Sequence, residues 1–188
     1  VNNVTSGSIA NDADLSGTFK AGWDADNLYI LAEVTDDVIS NDDDEGGSET
    51  TYHDDGVEVF IDIGNDKATS YGEDDFQFGF EADGSGIREY KRSASVGVSM
   101  ATATVTGGYV MEIAIPWTTL GETGAAGQVL GFEINFIDHD DAGTTIDGKK
   151  AWITTSDVAF TDPSSFGNAE LIEGDPAPTY ALNVESGS

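Results

Sequence analysis

The 188-residue chain carries thirty-six acidic against seven basic side chains, a net charge of −29, and no cysteine. Such a charge repels phosphate backbones and anionic membrane surfaces, which argues against nucleic acid and lipid headgroups as partners. The missing thiols exclude disulfides, thiolate metal sites and thiol nucleophiles. With 38% hydrophobic and 10% aromatic residues the chain can bury the core of one ordinary domain, yet no apolar run is long enough for a transmembrane helix.

Residues 1–16 are polar, lack the basic and apolar pattern of a signal peptide, and read as an irregular N-terminal edge; any leader is expected upstream. From Gly17 to Asp24 and from Leu28 to Val34 the pattern predicts a hairpin, turned by Asp24-Ala25-Asp26-Asn27. Leu28, Ile30, Ala32 and Val34 share one face of its second arm. A long acidic loop follows, through Asp36, Asp37 and Asp42-Asp43-Asp44-Glu45, too polar to pack.

The stretch Tyr52 to Asp62 joins that loop to a strongly alternating strand. Val57, Val59, Ile61 and Ile63 face a core, while Glu58, Phe60 and Asp62 lie on a polar, usable face. Phe76, Phe78 and Phe80 alternate with Gln77 and Gly79 in a second strand; pairing it with the first sets Glu58 and Gln77 on one surface. Two weaker strands are expected around Ile87 to Tyr90 and Ser95 to Val105.

Thr106-Gly107-Gly108 then turns the chain into Tyr109 to Ile115, and Pro116 opens the one convincing helical turn, Trp117 to Leu120, whose tryptophan plugs the end of the core. Gly131 to Asp138 is a further strand, with Phe132, Ile134 and Phe136 inward and Glu133, Asn135 and Ile137 outward. Lys150 to Thr155 and Asn168 to Ile172 supply the last two, and 174–188 reads as a linker or tail. About ten short strands and almost no helix predict an all-β antiparallel β-sandwich with jelly-roll or Greek-key, immunoglobulin-like connections over residues 17–173.

Six landmarks recur here in a specific order: Trp23-Asp24 with Asn27-Leu28-Tyr29-Ile30; Asp55-Gly56-Val57-Glu58-Val59-Phe60-Ile61-Asp62; Asp75-Phe76-Gln77-Phe78; Gly108-Tyr109 with Glu112 and Ile115-Pro116-Trp117; Gly131-Phe132-Glu133-Ile134-Asn135; and Asp162-Pro163-Ser164-Ser165-Phe166-Gly167. In that order they resemble the family 9 carbohydrate-binding modules. The resemblance implies a non-catalytic module, carried by xylanases and other secreted glycoside hydrolases, that binds xylan, cellulose or their chain ends between two aromatic rings. The expected partners are thus a polysaccharide or oligosaccharide and a tethered catalytic domain, with the module acting as a monomer outside the cell.

On this resemblance the clamp rings fall at Tyr52 and Phe160, and the hydrogen-bonding floor at Glu58 and Gln77, with Asn135 on an adjacent strand. Where the resemblance expects a basic residue two positions after the glutamine, the chain has Gly79, so either Arg88 or Arg92 reaches in or the ligand differs. Calcium is the implied structural cofactor, with Asp36 and Asp37 as ligands; Asp138, Asp140 and Asp141 offer further hard oxygens, although no EF-hand spacing is present. Trp23, Trp117 and Trp152 read as structural. His53 and His139 stand near no nucleophile elbow or zinc motif, and a paired-carboxylate hydrolase runs against the resemblance. The competing reading from another class is a calcium-stabilised structural or adhesion module without a sugar site.

Overall fold

A computed structural model describes residues 1–40, 51–93, 95–141 and 145–173. The expected tail at 174–188 and most of the acidic run after Asp37 lie outside the described residues. The strands are β1 (Asn3–Gly7), β2 (Leu15–Trp23), β3 (Asn27–Asp36), β4 (Gly56–Asp62), β5 (Asp75–Glu81), β6 (Ile87–Glu89), β7 (Ser99–Val105), β8 (Gly108–Pro116), β9 (Val129–Asp138), β10 (Gly148–Ala151) and β11 (Gly167–Glu170). They form two antiparallel sheets, one of seven strands in the order β1-β10-β9-β4-β5-β6 with β11 also on β9, and one of four in the order β2-β3-β8-β7. The β-sandwich expected from the alternation is therefore present.

The core lies between the sheets. Val57, Val59, Ile61, Phe76, Phe78, Phe80, Phe132, Ile134 and Phe136 of the larger sheet meet Leu28, Ile30, Ala32, Val34, Tyr109, Met111, Ile113 and Ile115 of the smaller. All belong to the period-two sets that define inward faces. Helix α1 (Trp117–Leu120) follows Pro116 and ends at Gly121 in the left-handed region, and Trp117 closes the end of the core with its indole N–H donating to the Asp24 carbonyl at 2.9 Å.

Three expectations need correction. The N-terminal edge is not irregular throughout, because β1 pairs antiparallel with β10, from Asn3 opposite Ala151 to Gly7 opposite Gly148. Second, the strand expected over Lys150 to Thr155 runs only from Gly148 to Ala151. Beyond it the amides of Trp152, Ile153 and Thr154 turn onto the buried Glu133 carboxylate, at 2.7–3.2 Å; Trp152 still shares its amide with the Ile134 carbonyl at 3.1 Å, and the regular ladder ends there. A carboxylate that collects several backbone N–H groups replaces the sheet partners those donors would otherwise require.

Third, the outward face of β4 and β5, expected to be polar and usable, is covered by loops and not bare. Every residue of β4 and β5 is buried, including Glu58, Asp62, Asp75 and Gln77. Phe60 heads a small second core with Phe166 and Ala159, against which Tyr71 packs, so the loops around 71 and 159–166 roof this face. Alternation alone marks which side chains leave the main core, and it carries no information about loops that cover them.

Candidate functional site

Strand register brings the polar residues of the larger sheet together. Glu58 on β4 lies opposite Gly79 on β5 and Asn135 on β9, and the next outward row holds Phe60 opposite Gln77 and Glu133. Gln77 and Glu58 are therefore diagonal neighbours, and the Gln77 amide donates to Glu58 Oε1 at 2.8 Å. The other Glu58 oxygen faces Lys149 Nζ at 3.1 Å, and Lys149 also reaches Asp157 Oδ1 at 3.3 Å. Gln77, Glu58, Lys149 and Asp157 thus form one continuous chain of donors and acceptors.

Burial pushes the Lys149 ammonium pKa down, but the carboxylates of Glu58 and Asp157 outweigh it and leave the pKa raised. Lys149 is 6% exposed and Glu58 1% exposed, so the pair is held away from bulk water. Asn135, 1% exposed, keeps its side-chain oxygen without a hydrogen-bond partner among the described residues.

This floor opens into a cavity of about 590 Å³ whose lining includes Tyr52, Phe160, Glu58, Gln77, Tyr90 and Lys149. Tyr52 sits in a 3-10 turn, Thr51–His53, that enters β4, and Phe160 lies in the loop between β10 and β11. They are 39% and 42% exposed, among the few large rings of the described residues left to solvent. Four of the five residues expected to bind sugar, Tyr52, Glu58, Gln77 and Phe160, line one cavity; Asn135 lies beside Glu58 in the strand register without lining it.

Neither arginine fills the place expected of a base at position 79. The Arg92 guanidinium is spent on Glu73 at 3.0 Å and on the carbonyls of Asp75 and Gly72, while that of Arg88 lies 5.6 Å from the centre of the Tyr90 ring; neither lines the cavity. Position 79 itself is closed to a side chain. A Cβ there would come within 2.0 Å of Thr51 Oγ1 and 3.0 Å of the Tyr90 ring. Thr51 and Tyr90 share a hydrogen bond of 2.5 Å in that space, and the Tyr90 ring lies 5.7 Å from Tyr52.

The cation facing the floor is Lys149, which the sequence reading passed over. It sits one residue inside β10, and its only signal was a lysine pair, Lys149-Lys150, in a chain with seven basic residues. Tyr90, Lys91, His53 and Asp157 were likewise not singled out as lining residues.

A second constellation stands at the end of the same sheet. Asp36 from the end of β3, Asp55 before β4 and Asp138 from the end of β9 bring carboxylate oxygens within 4.8 Å of one another, and all three are buried. Asp55 accepts from the amides of Ser40 at 2.6 Å and His139 at 2.8 Å, whereas Asp36 Oδ2 and both Asp138 oxygens have no hydrogen-bond partner among the described residues. Burial is the largest cause that raises all three pKa values, Asp55 to about 9, Asp138 to about 7 and Asp36 to about 6; nearby carboxylates add to it, Asp36 and Asp138 at Asp55, Asp36 at Asp138, and Asp140 and Asp37 at Asp36. Asp37 is not in this group; it joins Asp14 and Asp140 in a more exposed one. Asp141 stands 3.8 Å from His139 Nε2.

Comparison with known proteins follows the same lines. A family model described as carbohydrate family 9 binding domain-like matches residues 1–174. The chain is 36% identical over 170 residues to exoglucanase XynX of Acetivibrio thermocellus and 35% identical over 170 residues to endo-1,4-beta-xylanase A of Thermoanaerobacterium saccharolyticum, in each case over 90% of this chain. It spans only 15% and 14% of the length of those two proteins. A family 9 module from Caldicellulosiruptor kristjanssonii, solved in complex with cellotriose, superposes with a TM-score of 0.74 at 24% identity, covering 96% of this chain and 87% of that one. Matched along nearly its whole described length by the family model, the chain belongs to the family 9 carbohydrate-binding domains.

Proposed function

We propose that the cavity on the larger sheet binds a plant cell-wall glycan, xylan, cellulose or one of their chain ends, with Tyr52 and Phe160 as the two stacking rings. The observation that carries this reading is the lining of a single cavity by two exposed rings above the Gln77-Glu58-Lys149-Asp157 chain. A pyranose has apolar C–H faces and a rim of hydroxyls, each able to donate and accept. Rings suit the faces. Gln77 and Lys149 offer donors and Glu58 and Asp157 acceptors at the rim, so a hydroxyl displacing water can satisfy both of its roles. Asn135, beside Glu58, would complete the floor.

Nothing in this arrangement requires bond cleavage. The module's role is to hold a tethered hydrolase near its substrate, raising effective concentration, in a secreted protein where it acts as a monomer. The cellotriose bound by the Caldicellulosiruptor module and the xylanase and exoglucanase names of the relatives support this substrate class.

Calcium fits the triad Asp36, Asp55 and Asp138, because three converging carboxylates supply hard oxygens and several of those oxygens lack a hydrogen-bond partner among the described residues. A bound cation would favour the charged carboxylates against the burial, and the added repulsion of nearby carboxylates, that raise their pKa values. It would also tie the segment bearing Tyr52, three residues before Asp55, to the ends of β3 and β9. Its role is structural.

The test is isothermal titration in calcium with xylo- and cello-oligosaccharides and their borohydride-reduced forms. Binding should weaken about tenfold or more in Tyr52→Ala and Phe160→Ala, with melting temperature unchanged, since each loses roughly one stacking contact and its buried area. Loss of binding on reduction would place recognition at the reducing end. Undiminished affinity in both variants would remove the site from this cavity, and no binding to any of these glycans would favour a cation-stabilised structural module.

A further inference from the structure

Phe160 lies in a long connection, residues 152–166, that contains no strand. A stacking ring on such a segment is useful only if its backbone is held, because an unordered ring must lose its freedom on binding. Two side chains from outside the segment hold it at adjacent carbonyls. Tyr71 donates its hydroxyl to the Ala159 carbonyl at 2.7 Å, and Lys91 donates its ammonium to the Phe160 carbonyl at 2.6 Å. The two donors are also coupled, since Lys91 Nζ lies 4.3 Å from the centre of the Tyr71 ring.

The anchors are themselves fixed. Tyr71 packs on the small core of Phe60, Ala159 and Phe166, and the Lys91 amide donates to Glu89 Oε1 at 3.1 Å. Within the loop, the amides of Thr161 and Asp162 both donate to the Val158 carbonyl at 2.9 Å, closing a tight turn around Phe160.

We propose that Lys91 and Tyr71 are positioning residues, which set the Phe160 ring against the cavity by clamping the Ala159-Phe160 backbone. The proposal rests on the sugar-cavity reading for its consequence, and on the loop geometry alone for its cause. Lys91 also borders the cavity, so the experiment must separate a brace from a direct sugar contact.

The experiment combines titration of the full chain with cellotriose and xylotriose and amide hydrogen exchange without sugar, on Lys91→Met, Lys91→Arg and Tyr71→Phe. Exchange at Thr161 and Asp162 should speed in Lys91→Met and Tyr71→Phe, while β3 and β8 stay as in the wild type. Affinity should fall about threefold to fivefold in each, the scale of one partly exposed charged contact for Lys91 and of one neutral hydrogen bond for Tyr71. Lys91→Arg should restore both readouts, which a general loss of stability would not do. In a Phe160→Leu background Lys91→Met should cost no further affinity.

Unchanged exchange at Thr161 and Asp162 would overturn the brace. So would a loss of affinity in Lys91→Met that persists undiminished in Phe160→Leu, because Lys91 would then touch the sugar itself. If Phe160→Ala binds as tightly as the wild type, the cavity reading fails instead, and the exchange data still decide whether the two residues hold the loop.

Discussion

The two outer faces of the sandwich are built from the same alternation and end up opposite in character. On the smaller sheet, β3 keeps its period, with Leu28, Ile30, Ala32, Val34 and Asp36 buried and Tyr29, Glu33 and Thr35 exposed. Lys20 and Glu33 form a solvated ion pair there at 3.7 Å, of the kind that contributes little. On the larger sheet the outward residues of β4 and β5 are as buried as the inward ones. Loops cover that face, and the polar groups beneath them must satisfy one another or a ligand. A site on a sandwich therefore forms on the face where connections enclose polar side chains, and the bare face is left to water.

The enclosed side should suffer most from loss of its buried cation. Replacing Lys149 by methionine keeps the stem and removes the charge, leaving Glu58 buried without its cation. The fold should lose about 3–5 kcal/mol in denaturant melts, as when one partner of a buried pair is removed, and sugar binding should go with it. A loss below about 1 kcal/mol, the range of exposed pairs, would mean that the face is wetter than its burial indicates.

Next in size is the cation. At 100 times its dissociation constant calcium should stabilise the fold by about 2.7 kcal/mol, and Asp55→Ala should abolish that increment. The pH dependence of the calcium-free protein has a definite sign. With Asp36, Asp138 and Asp55 raised to about 6, 7 and 9, against about 3.9 for an unfolded aspartate, the fold holds more protons than the unfolded chain. Stability therefore falls as pH rises from about 4 to about 9. Chelation with EDTA should lower the melting temperature more at pH 8 than at pH 5. Equal losses at both would show that the triad does not hold the ion.

The bare side should respond least. Tyr29, 40% exposed, carries a ring as accessible as Tyr52, yet among the described residues its hydroxyl bonds within its own turn, donating to Asp24 at 2.9 Å and accepting from Asn27 at 3.0 Å. Tyr29→Ala should shift stability by about 1 kcal/mol or less and leave sugar affinity unchanged.

The sequence made the sandwich legible because period-two runs such as Leu28 to Val34 and Val57 to Ile63 each specify a face, and the pairing of Glu58 with Gln77 follows from two adjacent alternating strands. Tyr52 and Phe160 were found through the family resemblance, since an aromatic in a loop has no periodicity to mark it. Lys149 was missed because its role depends on strand register: β10 must pair with β9 so that Lys149 stands opposite Ile137, next to the row of Asn135 and Glu58. The truncation of β10 was hidden for a similar reason, as Glu133 captures amides some twenty residues away. Asp55 and Asp138 join Asp36 only when three strand ends meet, whereas Asp37, its chain neighbour, falls into another group.

Whether the enclosed face binds sugar can be read from a map of backbone chemical shifts during titration with cellotriose in calcium. The enclosed face should respond, with the largest shifts at Tyr52, Glu58, Gln77, Lys149 and Phe160 and none at Tyr29, Glu33 or Glu112. Shifts concentrated on the smaller sheet, with the Tyr52 and Phe160 amides unmoved, would contradict binding at the enclosed face.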